Sequence, residues 1–287
     1  MAMNANPPPP GPHYTQRPNT EVLRTLQQVV TVVEEAGAVL LNRFSYSARP
    51  SNASELMNAI RSNDEASMAV LRPGLTQIRP QAGWADESDH GPLPLGEWWV
   101  VDSTEGNINH VHGNPNWGVS ATLVRDNQAQ LCVVHIPVTK ETFTAIQGAE
   151  ALRNSARVRP SKKTEIAVAI VGTGQAAPGE HASIHRQLTD SVRAMLGHAL
   201  VVRVGVPSTF PIIAVATGEA DMFWQYGQVR SGLMAGALMV EGAGGVVMDS
   251  SGRPWTLDST DFVAVTPGLV NAAIDVFASI KVQGVVA

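Results

Sequence analysis

A single cysteine, Cys132, stands among 287 residues, and this scarcity removes several possibilities at once. No internal disulfide can form, and no cluster of thiolates can hold zinc or iron. Cys132 lies in the apolar run Leu131-Cys132-Val133-Val134-His135-Ile136, where an inert, packed strand residue is expected rather than a catalytic thiol. Basic charge is also short: 20 Lys and Arg stand against 25 Asp and Glu, a formal net charge of -5. A polyphosphate backbone calls for a basic face, so nucleic acid is not expected as a partner. No apolar run approaches the roughly 20 residues that span a bilayer, and the amino end has no basic stretch followed by an apolar one. The expectation is no membrane association and a cytoplasmic location.

What remains is ordinary for a globular chain: 44% hydrophobic and 16% charged residues, with length enough for two packed lobes or one large domain. Residues 1–19 are rich in proline and poor in aliphatic side chains, which predicts a flexible tail. From Thr20, Leu23, Leu26, Val29, Val30, Val33, Ala36 and Leu40 recur at helical spacing, with Thr20 as the expected cap. A second helix is expected from about Ser62 to Leu71, ending before Pro73. Segments 98–102, 117–124 and 130–138 read as antiparallel strands, the last two joined by an Asp126-Asn127 turn. After Ser155 strands and helices alternate. Strands are expected at 166–171, 200–204, 221–224, 245–248 and 262–265, and helices at 181–197, 208–217 and 231–243. An α+β lobe over 20–155 would thus precede an α/β lobe over 156–287.

The chemistry points to the acids. The strand Trp98 to Val101 stops at Asp102, and Glu105 follows three residues later with Gly106 behind it. Upstream, Asp86 and Glu87 form a second acidic turn. If the two turns converge, Asp86, Asp102, Glu105 and the Thr104 carbonyl present the hard oxygens that Mg²⁺ prefers. Metal-assisted hydrolysis of a phosphate ester would be the natural chemistry. Solvated loop acids are the plainer alternative at this point.

The stretch Trp99 to Val124, with its VDSTEGNINHVHG core, resembles the W-I-V-D-P-x-D-G-T-x-N-F-x-H-G motif of the inositol monophosphatase family, which are Mg²⁺-dependent, lithium-sensitive phosphatases. Three more segments follow the family's order: Asn63-Asp64-Glu65, Trp84 to Ser88, and Ala216 to Asp221 together with Leu233 to Gly245. The resemblance implies a layered αβαβα sugar-phosphatase fold combining α+β and α/β parts, a small phosphorylated substrate, Mg²⁺ as cofactor and a homodimer. It further implies metal ligation by Asp86, Asp102, Thr104 and Glu105. Asp64 and Glu87 would activate and orient water. Beside them, His110 stands where the family has an aromatic, and it reads either as a base or phosphate donor that compensates for Asn107 or as a structural turn histidine. Gly106, Ser208, Thr209 and Gln225 would lie at the substrate, while Arg230, next to the departed Trp-Asp pair, is either a guanidinium pointing into the pocket or a solvated loop arginine.

Several positions depart from the motif. Glu105 replaces an aspartate with a longer carboxylate, and Asn107 replaces a threonine whose hydroxyl would pass a proton toward Asp64. Ser231 and Gly232 stand where the family has Trp-Asp, so a second cation loses a charged ligand; Gln225 stands where a glutamate often binds a substrate hydroxyl. Together these changes are expected to weaken the metal site. Two rivals follow: a member repurposed for metal-free chemistry in a specialised biosynthetic pathway, in which Arg230 stands in for a cation, and a non-catalytic binding or scaffold protein. His112 and His135 are expected to be structural.

Overall fold

The computed structural model describes residues 18–85, 91–227 and 230–283. Most of the expected amino-terminal tail, and the expected site residues Asp86 and Glu87, lie outside that set. Helix α1 (Thr20–Leu41) is capped one residue earlier than expected, by Asn19, whose side chain accepts the Val22 N–H at 2.8 Å. Helix α2 (Ala53–Ile78) is longer than expected at both ends. Asn52 accepts the Glu55 N–H at 3.0 Å while Glu55 reaches back to the Ser51 N–H at 2.9 Å, a reciprocal cap that starts the helix well before Ser62. Pro73 sits inside α2 and is exposed, so the hydrogen bond it omits is lost on the solvent face.

A seven-stranded sheet follows: β1 (Gly83–Trp84), β2 (Glu97–Glu105), β3 (Gly118–Arg125), β4 (Gln128–Ile136), β5 (Glu141–Ile146), β6 (Leu152–Arg153) and β7 (Ala156–Arg157), in sequence order. All pairings are antiparallel except β1 with β2. The β3–β4 turn holds Asp126 and Asn127 at φ 50° and 66°, left-handed values that match the twist of the paired strands. Between β2 and β3 lies the short helix α3 (Asn107–Val111).

The second sheet contains β8 (Ile170–Gly174), β9 (Val201–Gly205), β10 (Met222–Tyr226), β11 (Val246–Met248) and β12 (Asp261–Val265), in the order β11-β12-β10-β8-β9. Strand β8 begins four residues later than the apolar run suggests, after a 3-10 turn at Ile166–Val168. Asp221 fixes that start: its fully buried carboxylate accepts the Ile170 N–H at 2.7 Å, the Ser161 hydroxyl at 2.6 Å and the Lys163 ammonium at 2.8 Å. The remaining helices are α4 (Ala182–Leu196), α5 (Thr209–Thr217), α6 (Arg230–Ala243) and α7 (Val270–Gln283).

Alternation along the strands produces five layers, α/β/α/β/α. On β4, Leu131 and Val133 face the core shared with α1 and α2, while Cys132 and Val134 face the core shared with α5 and α6. Phe223 on β10 joins the same central core, and Met222 and Trp224 turn toward α4 and α7. The two sheets therefore share one continuous interior through α5 and α6. Burial pushes the Cys132 thiol up to about 12, as suits an inert packed residue. No described helix is long and apolar enough to cross a membrane.

Candidate functional site

The site is built at the end of β2. Between Asp102 and Glu105 the register with β3 slips, for Asp102 pairs with Ser120 and Glu105 with Gly118, so β2 carries one extra residue. Such a bulge re-aims side chains that would otherwise alternate between faces. The half-buried Asp102 carboxylate accepts the Thr104 N–H at 3.0 Å. Gly106 then turns the chain at φ 73°, and a Cβ there would lie 2.8 Å from the Asn116 carbonyl oxygen; only glycine fits this entry into α3.

Asp64, on α2, meets this strand end from the side. Its Oδ1 accepts the Ser103 hydroxyl at 3.0 Å and the Asn107 amide at 3.0 Å. The orientation of Asn107 is itself fixed: Nδ2 also donates to the Ile60 carbonyl at 3.0 Å, and Oδ1 accepts from Asn63 Nδ2 at 3.0 Å. Asn63 is buried and serves as a hub, because its Oδ1 accepts Arg43 Nε at 3.0 Å and its Nδ2 also meets His110 Nδ1 at 2.9 Å. The chain of bonds Arg43–Asn63–Asn107–Asp64 thus sets one carboxylate from the end of α1.

His110 belongs to this network and to the core. It is buried, its Nε2 lies 3.0 Å from the Leu40 carbonyl, and it packs edge-on against Trp117 and Phe44. Nε2 donates to that carbonyl and Nδ1 accepts from Asn63, so both nitrogens of a neutral ring are used. Burial chiefly holds its pKa below the ordinary histidine value, the Arg43 charge acts in the same sense, and the Leu40 bond opposes both. This geometry gives His110 a structural place rather than that of a base. His112 is held by the Ile108 carbonyl at 2.7 Å, and His135 by the Thr142 hydroxyl at 2.9 Å.

On the other side, Glu105 is only 2% exposed, and its Oε2 accepts the hydroxyl of fully buried Thr209 at 2.7 Å. Thr209 opens α5, where the helix dipole favours an anion. The buried pair Ser208 and Gln225 is engaged internally, the Ser208 hydroxyl donating to Gln225 Oε1. Arg230, at the start of α6 and 5% exposed, donates to the Gly91 carbonyl at 2.9 Å. Of the residues expected to touch substrate, Ser208, Thr209, Gln225 and Arg230 are therefore all buried and bonded to other parts of the chain.

For a divalent cation the two halves differ. Asp102 and the Thr104 carbonyl are hard oxygen donors two residues apart that would serve one ion together with Asp86, which lies outside the described residues. The position around Glu105 does not fit: Gly232 offers no donor, and a Cβ there would lie 2.6 Å from the Thr209 hydroxyl oxygen. Among the described residues no group of three or more His, Cys, Asp or Glu side chains is placed to hold a metal. Ser103, Asn63 and Arg43 join the site only in the folded chain, through their bonds to Asp64, Asn107 and Asn63 respectively. A signal was present for Ser103, since it replaces the motif's proline and brings a hydroxyl where proline has no donor.

Fold and site together define a layered α/β protein with an oxygen-rich centre at the end of one bulged strand. The chain matches the model of the inositol monophosphatase family over residues 21–278, and it belongs to that family. It is similar to the Nus factor SuhB of Pseudomonas aeruginosa, 30% identical over 207 residues that cover 71% of this chain and 75% of that protein. It is also similar to the inositol monophosphatase of Dictyostelium discoideum, 24% identical over 253 residues, 86% and 92% of the two chains. The inositol monophosphatase structure from Anabaena superposes with a TM-score of 0.75 at 21% identity, covering 91% of this chain and 97% of that one.

Proposed function

We propose that this chain hydrolyses a small phosphorylated metabolite by direct attack of water, with at least one Mg²⁺ bound at Asp102, the Thr104 carbonyl and Asp86. The observation that carries this reading is the placement of Asp64 against Ser103, one residue from Asp102 and Thr104, on a scaffold shared with phosphatases. When bound, the ion polarises the phosphoryl group and acidifies water. The protein's own share is orientation. Ser103 and Asn107 hold Asp64 Oδ1, so the carboxylate is fixed as the acceptor of a proton from the attacking water, and Glu87 would steady that water. Asn107 donates a hydrogen bond but does not pass a proton onward as a hydroxyl does, so the proton would reach Asp64 either directly or through the Ser103 hydroxyl, which donates to Asp64 Oδ1. The enclosed Thr209–Glu105 pair favours a second reading, a family member repurposed for chemistry with fewer cations or none.

The test is phosphate release from a panel of sugar and nucleotide monophosphates with Mg²⁺, for wild type and Asp102→Asn. Turnover that Asp102→Asn abolishes supports the hydrolase; turnover untouched by that change removes it, and ligand binding without turnover in metal-free buffer favours the second reading. A homodimer is part of the proposal. It is supported by the apolar outer edge of the second sheet, where Leu200, Val204 and Val206 are exposed beside β9. Sedimentation of Val204→Asp should then give a lighter species than wild type.

A further inference from the structure

The geometry points to Thr209 as the group that anchors Glu105 in place of a second divalent cation, with Gly232 as its steric counterpart. This rests on reading the pocket as that of a metal-dependent hydrolase. Glu105 is a buried carboxylate, and such a group needs either a cation or good donors. Thr209 Oγ1 supplies a donor at 2.7 Å from the first turn of a nine-residue helix. The extra methylene of glutamate, compared with the motif's aspartate, gives the carboxylate reach toward that hydroxyl.

Gly232 is more than a missing ligand. Glycine within a helix costs stability relative to alanine, so its presence in the fully buried first turn of α6 calls for a reason. That reason is the close approach of α5. A Cβ at 232 would lie 2.6 Å from Thr209 Oγ1, and one at 236, a turn later on the same face, 2.5 Å from Ile212 Cγ2. A side chain at 232 therefore begins where the hydroxyl holding Glu105 already sits. The two residues exclude each other: threonine at 209 with glycine at 232, or a carboxylate at 232 with a smaller residue at 209.

Restoring the aspartate alone should consequently fail to restore an ion. The experiment titrates wild type, Gly232→Asp, Thr209→Ala, Thr209→Ser and the pair Thr209→Ala/Gly232→Asp with MgCl₂ and MnCl₂ by calorimetry, without substrate, beside thermal melts with and without Mg²⁺. Thr209→Gly/Gly232→Asp is made alongside, because it leaves the new carboxylate more room if the first pair does not fold. The expected result is one more ion per chain in the pair than in wild type, with a melt that Mg²⁺ raises more than it raises the wild type. Gly232→Asp alone should gain none, and Thr209→Ser should match wild type in ion count and melt. An extra ion in Gly232→Asp alone, or none in a pair that melts cooperatively, overturns the assignment. Phosphate release is scored separately. A pair that gains an ion while no variant turns over substrate keeps this inference and removes the hydrolase, whereas active wild type with a folded pair that gains nothing removes the inference alone.

Discussion

Two carboxylates lie within one strand end of each other and are treated in opposite ways. Asp64 is half-buried, and its donors from Ser103 and Asn107 both go to Oδ1. Glu105 is buried, and it is held at the head of α5 by Thr209. The first arrangement orients a carboxylate while leaving it in reach of something that arrives from solvent. The second makes a carboxylate part of the scaffold. Chemistry and stability should therefore separate on mutation, which is how the comparison can be broken.

The largest effect is expected for Asp64→Asn. Loss of a positioned proton acceptor should reduce kcat by roughly 10² to 10⁴ while the melting temperature stays near that of wild type. A large fall in melting temperature with unchanged kcat would place Asp64 in the scaffold instead. Next comes Thr209→Val, which keeps shape and removes the hydroxyl. Leaving a buried carboxylate one donor short should cost about 1–3 kcal/mol of stability in denaturant unfolding. A neutral result would show that Glu105 does not depend on Thr209.

Asn107→Thr sharpens the comparison from the other side. The change removes the amide bonds to Asn63 and Ile60 and supplies a hydroxyl beside Asp64. Stability should fall by about 2 kcal/mol, two hydrogen bonds each worth about 1 kcal/mol net. If proton passage limits the reaction, kcat should rise by about tenfold, read in the same phosphate-release assay. A slower variant would mean that rigid placement of Asp64 matters more than a path for the proton.

How much of this was legible depends on how local each feature is. The β2–β3–β4 meander could be read because β-branched runs and the Asp126-Asn127 turn act over short spans. Pro73 predicts an early end to α2 because proline generally breaks helices, and only the fold shows that it sits on the exposed face. Asn19 and Thr20 both carry capping side chains, and the extended backbone at Asn19 is what makes Asn19 the cap. The ordered motifs led to the family and placed Asp64, Asp102 and Glu105 near one another. They did not lead to the Thr209–Glu105 bond, whose partners are 104 residues apart and meet only when α5 docks on β2. Gly232 read as a loss in sequence; the packing of α5 on α6 supplies the reason for it.

The smallest expected effect is a pH dependence that ties the buried network to the site. Burial lowers the pKa of both His110 and His135; for His110 the Arg43 charge helps, and for His135 the Glu34 charge opposes. The unfolded chain takes up these protons near pH 6.5, whereas the folded protein resists until lower pH, so the unfolded state binds more protons in that window. Stability should be fully present above about pH 6.5 and decline as pH falls toward the depressed folded values. Melting temperatures from pH 8 to pH 5 check this, and His110→Gln should flatten part of the slope. The consequence reaches further than stability. A protonated His110 donates from both nitrogens, and Asn63 would have to turn its oxygen toward the ring, giving up its acceptance from Arg43 and its donation to Asn107. Asp64 would then lose the support that fixes Asn107. Acid below the depressed folded pKa of His110 should accordingly loosen the Asp64 carboxylate, and a kcat that drops there in wild type, but less in His110→Gln, would connect the two.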